Sequence, residues 1–171
     1  MKKKNIIDYF ITGLIVLVIA KAITLFIFIV PNVPSASMEP TINIGDRLVC
    51  TTPFFNPPIK RGDILVFRPN QVEYKDEFWV KRLIGVPGDH VKIKDGIVYV
   101  NGEKLKEPYV KRKTDYSGSF VVPKDKYLML GDNRTDSLDA RFWKNPFIDE
   151  GAVKYVANFR VYPFKDMGIL H

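Results

Sequence analysis

Two residues of the chain, Ser37 and Lys81, have side chains that could form a hydrolytic pair. Ser37 lies in the segment PSASMEPT (34–41), a turn of small residues that follows a long apolar run. A serine hydroxyl is a poor nucleophile at its ordinary pKa, so it requires a nearby base. The chain has only two histidines, His90 and His171. Lys81 is the stronger candidate for that base.

The sequence around Lys81 favours a neutral amine. In an extended segment FWVKRLI (78–84), side chains alternate, so Lys81 shares one face with Trp79 and Leu83. Desolvation by such neighbours lowers the pKa of a lysine, by up to about 3 to 5 units when burial is complete. Enough neutral amine would then be present near pH 7 to accept the Ser37 proton. Without the other segments, Lys81 could also be an ordinary exposed lysine on an edge strand of a sheet.

Three segments of the chain resemble the three sequence boxes of the bacterial type I signal peptidases, membrane-bound proteases that use a Ser/Lys dyad. They are PSASMEPT (34–41), FWVKRLIGVPGD (78–89) and GDNRTDSLDAR (131–141). The segments occur in the order found in the family and are spread over most of the chain. One position departs from the pattern, because the family often has Ser where this chain has Ala140.

The resemblance implies a role for several residues. Ser37 is expected to be the nucleophile and Lys81 the general base, while the Ser37 N–H and the Ser35 hydroxyl form the oxyanion hole. Ser137 is expected to orient the lysine. The expected supporting ion pairs use four residues, Asp132 with Arg82 and Asp139 with Arg141.

The activity that the resemblance implies is that of a serine endopeptidase. It would cleave signal peptides from exported pre-proteins after small residues in an AxA-like pattern, and pilins are among the candidate precursors. Two alternatives remain open. The first is a catalytically silent relative acting as an assembly factor for surface proteins or pilins, and the second is an anchored structural β domain. The self-cleaving Ser/Lys repressors share the dyad but would be soluble and carry a DNA-binding domain, and the apolar segment 11–30 argues against them.

The apolar residues 11–30 predict a transmembrane anchor, because a helix of this length spans about 30 Å. Lys21 opposes insertion by about 2.5 to 3.5 kcal/mol, which the surrounding Leu, Ile, Val and Phe residues outweigh. A cleaved signal peptide is less favoured, since the chain stays apolar from Ile23 to Val30. The lysines at positions 2–4 predict a cytoplasmic segment 1–10 and an extracytoplasmic catalytic domain 31–171 in a single-pass protein of the cell membrane.

Seven strands are predicted after residue 30 from short stretches rich in Val, Ile, Tyr and Phe. They are 46–51, 63–68, 78–84, 90–94, 97–100, 126–130 and 153–162. Asp95-Gly96 and Asn101-Gly102 predict tight hairpin turns. The predicted fold class is mainly β, with folded antiparallel sheets or an open barrel-like catalytic domain, a reduced second lobe and one preceding transmembrane helix. Residues 103–119 are expected to form an inserted loop or small lobe.

Composition excludes several other functions. The net charge is +7, but four lysines lie in the N-terminal segment, so a nucleic-acid partner is not expected. Cys50 is the only cysteine, which excludes an internal disulfide and favours a buried core thiol. Metal-ligand spacing and nucleotide-binding glycine patterns are absent, so neither metal nor cofactor is expected.

The expected partners are pre-proteins and the lipid bilayer, and the expected state is a monomer. Phe54 and Phe55 fit either insertion into the outer leaflet or ordinary packing.

Overall fold

The N-terminal part of the chain is a single long helix. The computed structural model describes residues 6–26, 28–69, 74 and 77–170, without the side chains at 22–26, 28 and 55. Helix α1 spans Ile6–Phe26, so it begins and ends earlier than the predicted anchor 11–30. The last residues of that range belong to a sheet, because strand β1 is Phe28–Ile29. The lysines at 2–4, on which the predicted orientation depends, lie outside the described residues.

The predicted membrane span is not confirmed. Within the part of the chain that the structure describes, no helix combines the length and the hydropathy expected of a membrane-spanning helix.

The regular structure in the rest of the described chain is mostly strands, with a few short 3-10 helices, which confirms the mainly β class. The strands after β1 are β2 Arg47–Thr51, β3 Ile64–Phe67, β4 Trp79–Gly85, β5 His90–Lys94, β6 Ile97–Val100, β7 Glu103–Lys104, β8 Gly118–Val121, β9 Lys126–Leu130, β10 Phe147–Asp149, β11 Val153–Tyr162 and β12 Gly168–Ile169. All seven predicted strands are present with shifts of at most one residue at either end. The five additional strands are two to four residues long.

The larger of two sheets has eight strands in the order β1-β2-β11-β3-β4-β9-β10, with β12 added beside β11. Every pairing in it is antiparallel. Strand β11 is the longest and pairs with both β2 and β3. Register shifts along β11 and between β4 and β9 bend this sheet. The residues whose side chains could take part in a reaction lie on this sheet or on loops beside it.

The second sheet has four antiparallel strands in the order β7-β6-β5-β8. Its first hairpin turns at Asp95 (φ 49°) and Gly96 (φ 71°), and the next at Asn101 (φ 51°) and Gly102 (φ 87°). Two successive positive φ angles are what a tight hairpin requires, so both predicted turns are present. Alternation along β5 and β6 sends Val91, Ile93, Val98 and Val100 inward and leaves a lysine-rich outer face.

Two apolar clusters pack on opposite faces of β3. Leu65 and Phe67 belong to the larger cluster, which also contains the inward side chains of the second sheet. Ile64 and Val66 belong to the smaller cluster, together with Met38 and other residues. Because side chains alternate along a strand, β3 separates these two clusters. Cys50 is fully buried in the smaller cluster, and burial raises the pKa of its thiol to about 12.

Candidate active site

Ser37 lies on a loop that is closed at its base. Within this loop, residues 33–46, the N–H of Val33 donates to the Asp46 carbonyl at 3.0 Å and the N–H of Gly45 donates to the Val33 carbonyl at 2.9 Å. Met38 and Ile42 are 1% and 0% exposed and pack into the smaller apolar cluster. The side chains on either side of the serine turn therefore fix the loop to the sheet. We call residues 33–46 the serine loop.

The structure brings Ser37 and Lys81 into direct contact. A hydrogen bond of 2.6 Å joins Lys81 Nζ to Ser37 Oγ. The two residues are 5% and 8% exposed, so the contact is largely shielded from water. Lys81 lies on β4, where it is paired with Leu65 of β3. An amine within hydrogen-bonding distance of a hydroxyl is the geometry that a general base requires.

Burial lowers the pKa of Lys81 from 10.5 to about 8. Desolvation of the ammonium is the largest cause, and the charges of Asp139 and Asp132 oppose it by raising the pKa. Lys81 Nζ also lies 5.8 Å from the centroid of the Trp79 ring. The lowered pKa favours a neutral amine at this position nearer to neutral pH than for an exposed lysine.

Ser35 lies next to the dyad. Its hydroxyl oxygen is 3.3 Å from Ser37 Oγ, within hydrogen-bonding distance. Unlike Ser37, Ser35 is exposed to solvent. A second hydroxyl at this distance is positioned to donate to negative charge that develops near the first.

The segment 131–141 holds the backbone around Ser37. The N–H of Asn133 donates to the Ser37 carbonyl at 3.1 Å, and its side-chain amide donates to the Ala36 carbonyl, also at 3.1 Å. Sequence reasoning assigned no role to Asn133, although it lies within a segment that was singled out. Its side-chain amide adds to the backbone bond, so one residue binds two successive carbonyls beside the serine.

Ser137 is buried close to the same backbone but is not hydrogen-bonded to the amine. It is 7% exposed, and its hydroxyl has no hydrogen-bond partner among the described residues. A Cβ atom at Gly131 would lie 2.1 Å from Ser137 Oγ and 2.5 Å from the Ser37 carbonyl oxygen. Gly131 thus permits a close approach of the two serine-bearing segments. The expected hydrogen bond between Ser137 and Lys81 is not formed.

Two buried ion pairs flank the dyad, and both join residues singled out from the sequence. Arg82 binds Asp132 through two hydrogen bonds of 2.8 and 2.7 Å, with side chains 1% and 0% exposed. Arg141 binds Asp139 through two hydrogen bonds of 2.8 Å, with side chains also 1% and 0% exposed. Each carboxylate near Lys81 therefore has its own guanidinium partner.

Further contacts connect these pairs to the serine loop. The Thr41 hydroxyl donates to Asp132 at 2.5 Å. Arg160 of β11 donates to Asp46 at 2.9 Å and to the Thr41 carbonyl at 3.1 Å. Sequence reasoning missed Thr41 and Arg160, because neither has a local pattern that distinguishes it from an ordinary loop or strand residue.

A cavity of about 330 Å³ opens beside the dyad. Its walls are mostly apolar, and it is lined by Val33, Pro34, Ser35, Ser37, Met38, Ile42, Glu77, Phe78, Trp79, Val80, Lys81, Asp136 and Leu138. The cavity lies between the serine loop and β4, so both dyad residues face it. Among the residues that the structure describes, no group of three His, Cys, Asp or Glu side chains could hold a metal ion.

Comparison with known proteins gives a consistent assignment. A family model described as signal peptidase, peptidase S26, matches residues 6–162. The chain belongs to the peptidase S26 family of signal peptidases. This confirms the resemblance seen in the sequence.

Several signal peptidases align with most of the chain. The signal peptidase I of Bacillus licheniformis is 36% identical over 97% of this chain and 94% of its own length. A probable signal peptidase I-2 of Synechocystis is 38% identical over 90% of this chain and 72% of its own length. The signal peptidase I of Leptolyngbya laminosa is 41% identical over 74% of this chain, and the match spans 66% of that enzyme.

A solved structure agrees with this assignment. The crystal structure of a signal peptidase I from Enterococcus faecalis matches with a TM-score of 0.50 and 30% sequence identity, over 58% of this chain and 97% of that one. The match supports the arrangement of antiparallel sheets as that of an S26 signal peptidase.

The buried pair of Arg82 and Asp132 predicts a large loss of stability for Asp132→Asn. The substitution leaves the guanidinium buried without its counter-charge, so we expect a loss of about 3 to 5 kcal/mol in the free energy of unfolding. Asp149→Asn is the matched control, because Asp149 forms a more exposed ion pair with Lys126 and its loss should cost about 1 kcal/mol or less. Denaturant unfolding of both variants in detergent measures the difference, and equal losses would contradict the prediction.

Proposed function

We propose that this S26 family member is a membrane-attached serine endopeptidase that removes signal peptides from exported pre-proteins, with Ser37 as nucleophile and Lys81 as general base. The observation that carries the proposal is the 2.6 Å hydrogen bond between Lys81 Nζ and Ser37 Oγ in a buried setting. The relatives named signal peptidase I support the choice of substrate.

In the first step, Ser37 Oγ attacks the scissile carbonyl carbon while its proton passes to neutral Lys81 Nζ. The carbonyl π electrons move to oxygen, and a tetrahedral intermediate forms. Its collapse breaks the C–N bond, and the departing amine takes the proton back from Lys81. The product is an ester between Ser37 and the new carboxyl end of the signal peptide.

In the second step, a water molecule enters in place of the departed peptide amine. Lys81 accepts a proton from the water as its oxygen attacks the ester carbon, and then returns the proton to Ser37 Oγ as the acyl bond breaks. The Lys81 amine therefore acts as the base in both halves of the reaction. The desolvation that lowers its pKa keeps it available as a base each time.

The oxyanion of each intermediate requires donors that are already in position. We assign the Ser37 N–H and the Ser35 hydroxyl to this task. Support comes from the 3.3 Å separation between Ser35 Oγ and Ser37 Oγ. The Asn133 contacts to the Ala36 and Ser37 carbonyls also favour a fixed backbone, and hence fixed N–H groups, around the nucleophile.

We assign to Ser137 the role of orienting the Lys81 amine. Support comes from its hydroxyl, which is buried, lies near the Ser37 carbonyl and lacks a hydrogen-bond partner in the described part of the chain. A buried hydroxyl without a partner costs about 1 to 3 kcal/mol. A hydrogen bond to Lys81 during the reaction would remove that cost.

The cavity beside the dyad is the proposed site for the substrate side chains before the cut. Its mostly apolar walls suit apolar residues such as Ala at the first and third positions, as the family resemblance implies. An extended substrate has these two side chains on the same side, since side chains alternate along a strand. We therefore propose that the substrate binds in an extended conformation along β4.

Attachment to the membrane through α1 is part of the proposal. The helix has 21 residues, which corresponds to about 32 Å of length. Its large apolar side chains are exposed, among them Val16 (59%) and Leu17 (68%). An uncovered apolar surface of this size requires a partner, and a bilayer fits it. In this arrangement the N-terminus is cytoplasmic and the catalytic domain lies outside.

Removing either member of the dyad should abolish cleavage. Ser37→Ala eliminates the nucleophile and Lys81→Met eliminates the base, so we expect kcat for an AxA-type precursor to fall by about 10³-fold or more in each. The measurement is precursor cleavage by the full-length protein in detergent, followed by gel electrophoresis.

Ser119→Ala and Lys92→Met are the matched controls, because both residues are on the outer face of the second sheet. Both controls should cleave at the wild-type rate. A wild type that leaves several precursors intact, or a Ser37→Ala variant that still cuts, would contradict the proposed function.

The pH dependence of kcat/KM should report the titration of Lys81. The protonated amine cannot accept a proton, so kcat/KM should rise about tenfold per pH unit in acid and level off above about pH 8. Initial rates from pH 5 to pH 10, with the stability of the protein checked at each pH, give the midpoint. A profile that is flat across this range would exclude Lys81 as the base.

Introducing charge into α1 should release the protein from membranes. The double substitution Val16→Asp and Leu17→Asp costs about 2.5 to 3.5 kcal/mol per residue in the middle of a span. We expect a larger fraction of this variant than of the wild type in the supernatant after an alkaline carbonate wash of membranes. Val121→Asp is the control, because Val121 is exposed on the second sheet. Equal extraction of all three proteins would contradict membrane attachment through α1.

A further inference from the structure

The segment 103–119 contacts three buried arginines near the dyad. Tyr109 packs on Arg82, Glu107 binds Arg134, and Thr114 lies 3.4 Å from an amino group of Arg141. Counted over the whole residue, these arginines are 1%, 3% and 7% exposed. Because the same segment supplies β7 and leads into β8, it also belongs to the second sheet. It therefore connects the second sheet to the surroundings of the dyad.

The contact between Tyr109 and Arg82 is the closest of these. The centre of the guanidinium lies 3.9 Å from the centroid of the Tyr109 ring, which is the distance of direct stacking. The Tyr109 hydroxyl donates to Glu107 at 3.2 Å. Desolvation, followed by the charge of Glu107, raises the pKa of Tyr109. The ring is thus held as a neutral donor over the face of a buried cation.

Glu107 fixes the segment to the loop that carries Asp132 and Asn133. Arg134 donates to Glu107 at 2.5 Å, and its side chain and that of Glu107 are 2% and 9% exposed. Arg134 also donates to the Gly131 carbonyl at 2.9 Å. A buried charge pair at this point gives the loop one strongly preferred position.

A chain of contacts joins Tyr109 to the serine loop. Arg82, beneath the ring, binds both carboxylate oxygens of Asp132. Asp132 accepts the Thr41 hydroxyl, and the next residue, Asn133, donates to the Ser37 carbonyl. Tyr109 is absent from the lining of the cavity beside the dyad. Any influence of Tyr109 on the reaction must therefore pass through its neighbours, which are Arg82 beneath the ring and Glu107 at the hydroxyl.

We propose that the segment 103–119 is a positioning element of the active site, in which the Tyr109 ring holds the Arg82–Asp132 pair and thereby the nucleophile backbone. This inference rests on the proposed function. Tyr109 covers one face of the guanidinium, whose edge binds the Asp132 carboxylate, and both side chains of this pair are almost fully buried. Glu107 holds the segment in the register that this stacking requires.

The test compares Tyr109→Phe with Tyr109→Leu in the full-length enzyme. The phenylalanine variant keeps the stacked ring and loses only the hydroxyl, whereas the leucine variant loses the ring. We expect Tyr109→Leu to lower kcat about tenfold or more, with KM within about twofold because the residue does not line the cavity. Tyr109→Phe should keep kcat within about threefold of wild type. Tyr99→Leu, on the outer face of the second sheet, is the control and should match the wild type.

The measurement must separate positioning from loss of folded protein. The values of kcat are therefore taken per folded molecule, below the unfolding midpoint of each variant. A purely structural role would lower the amount of folded enzyme and leave kcat per folded molecule unchanged. The inference is overturned if Tyr109→Leu has wild-type kcat, or if Tyr109→Phe is as impaired as Tyr109→Leu.

Glu107→Gln is the second variant and keeps the inference testable if Tyr109→Leu does not fold. It retains the shape of the side chain and weakens the charge pair with Arg134, so kcat should fall several-fold with KM unchanged. Wild-type kcat in this variant would overturn the inference. If the wild type itself does not cleave, the proposed function fails and the inference with it. An active wild type beside fully active variants overturns the inference alone.

Discussion

The ion pair between Arg82 and Asp132 is the contact on which the arrangement of the site depends. It joins β4, which carries Lys81, to the loop that holds the backbone of Ser37. Both side chains are almost fully buried, so neither charge has water as an alternative partner. Separating β4 from that loop would leave two charges unpaired inside the protein. The cost of that separation keeps the two halves of the dyad together.

The same pairing explains how a lysine can lose its charge beside two carboxylates. Asp132 and Asp139 alone would stabilise an ammonium at position 81 and raise its pKa. Arg82 and Arg141 each bind one of these carboxylates through two hydrogen bonds and offset much of its charge. Desolvation then becomes the dominant influence on Lys81. By neutralising these carboxylates, the arginines favour the uncharged form of Lys81, which is the form that can accept a proton.

Much of the fold was predictable because its signals are local. Alternating apolar residues and the Asp-Gly and Asn-Gly turns determine β5 and β6 almost completely. Strands such as β7 and β12 were missed because two residues are too few to show an alternation of apolar and polar side chains. Only pairing with a neighbouring strand defines them. The end of α1 at Phe26 was also missed, since the apolar run continues without interruption into β1.

The candidate site was predictable for a different reason. The contact between Ser37 and Lys81 followed from segments that resemble a known family, not from any local rule. Contacts between distant residues, such as Tyr109 with Arg82 or Arg160 with Asp46, have no sequence signal of their own. The hydroxyl of Ser137 shows the limit of such a resemblance. The residue lies close to Ser37, but the hydrogen bond that defines its expected role is not formed.

The short connection between helix and sheet has a consequence for where the substrate is cut. Helix α1 ends at Phe26 and β1 begins at Phe28, and Ser37 is 11 residues after the end of the helix. Even a fully extended chain of that length spans no more than about 40 Å. Under the proposed attachment through α1, the nucleophile would lie no farther than this from the lipid surface. Scissile bonds close to the membrane would then be within its reach, whereas bonds farther away would not.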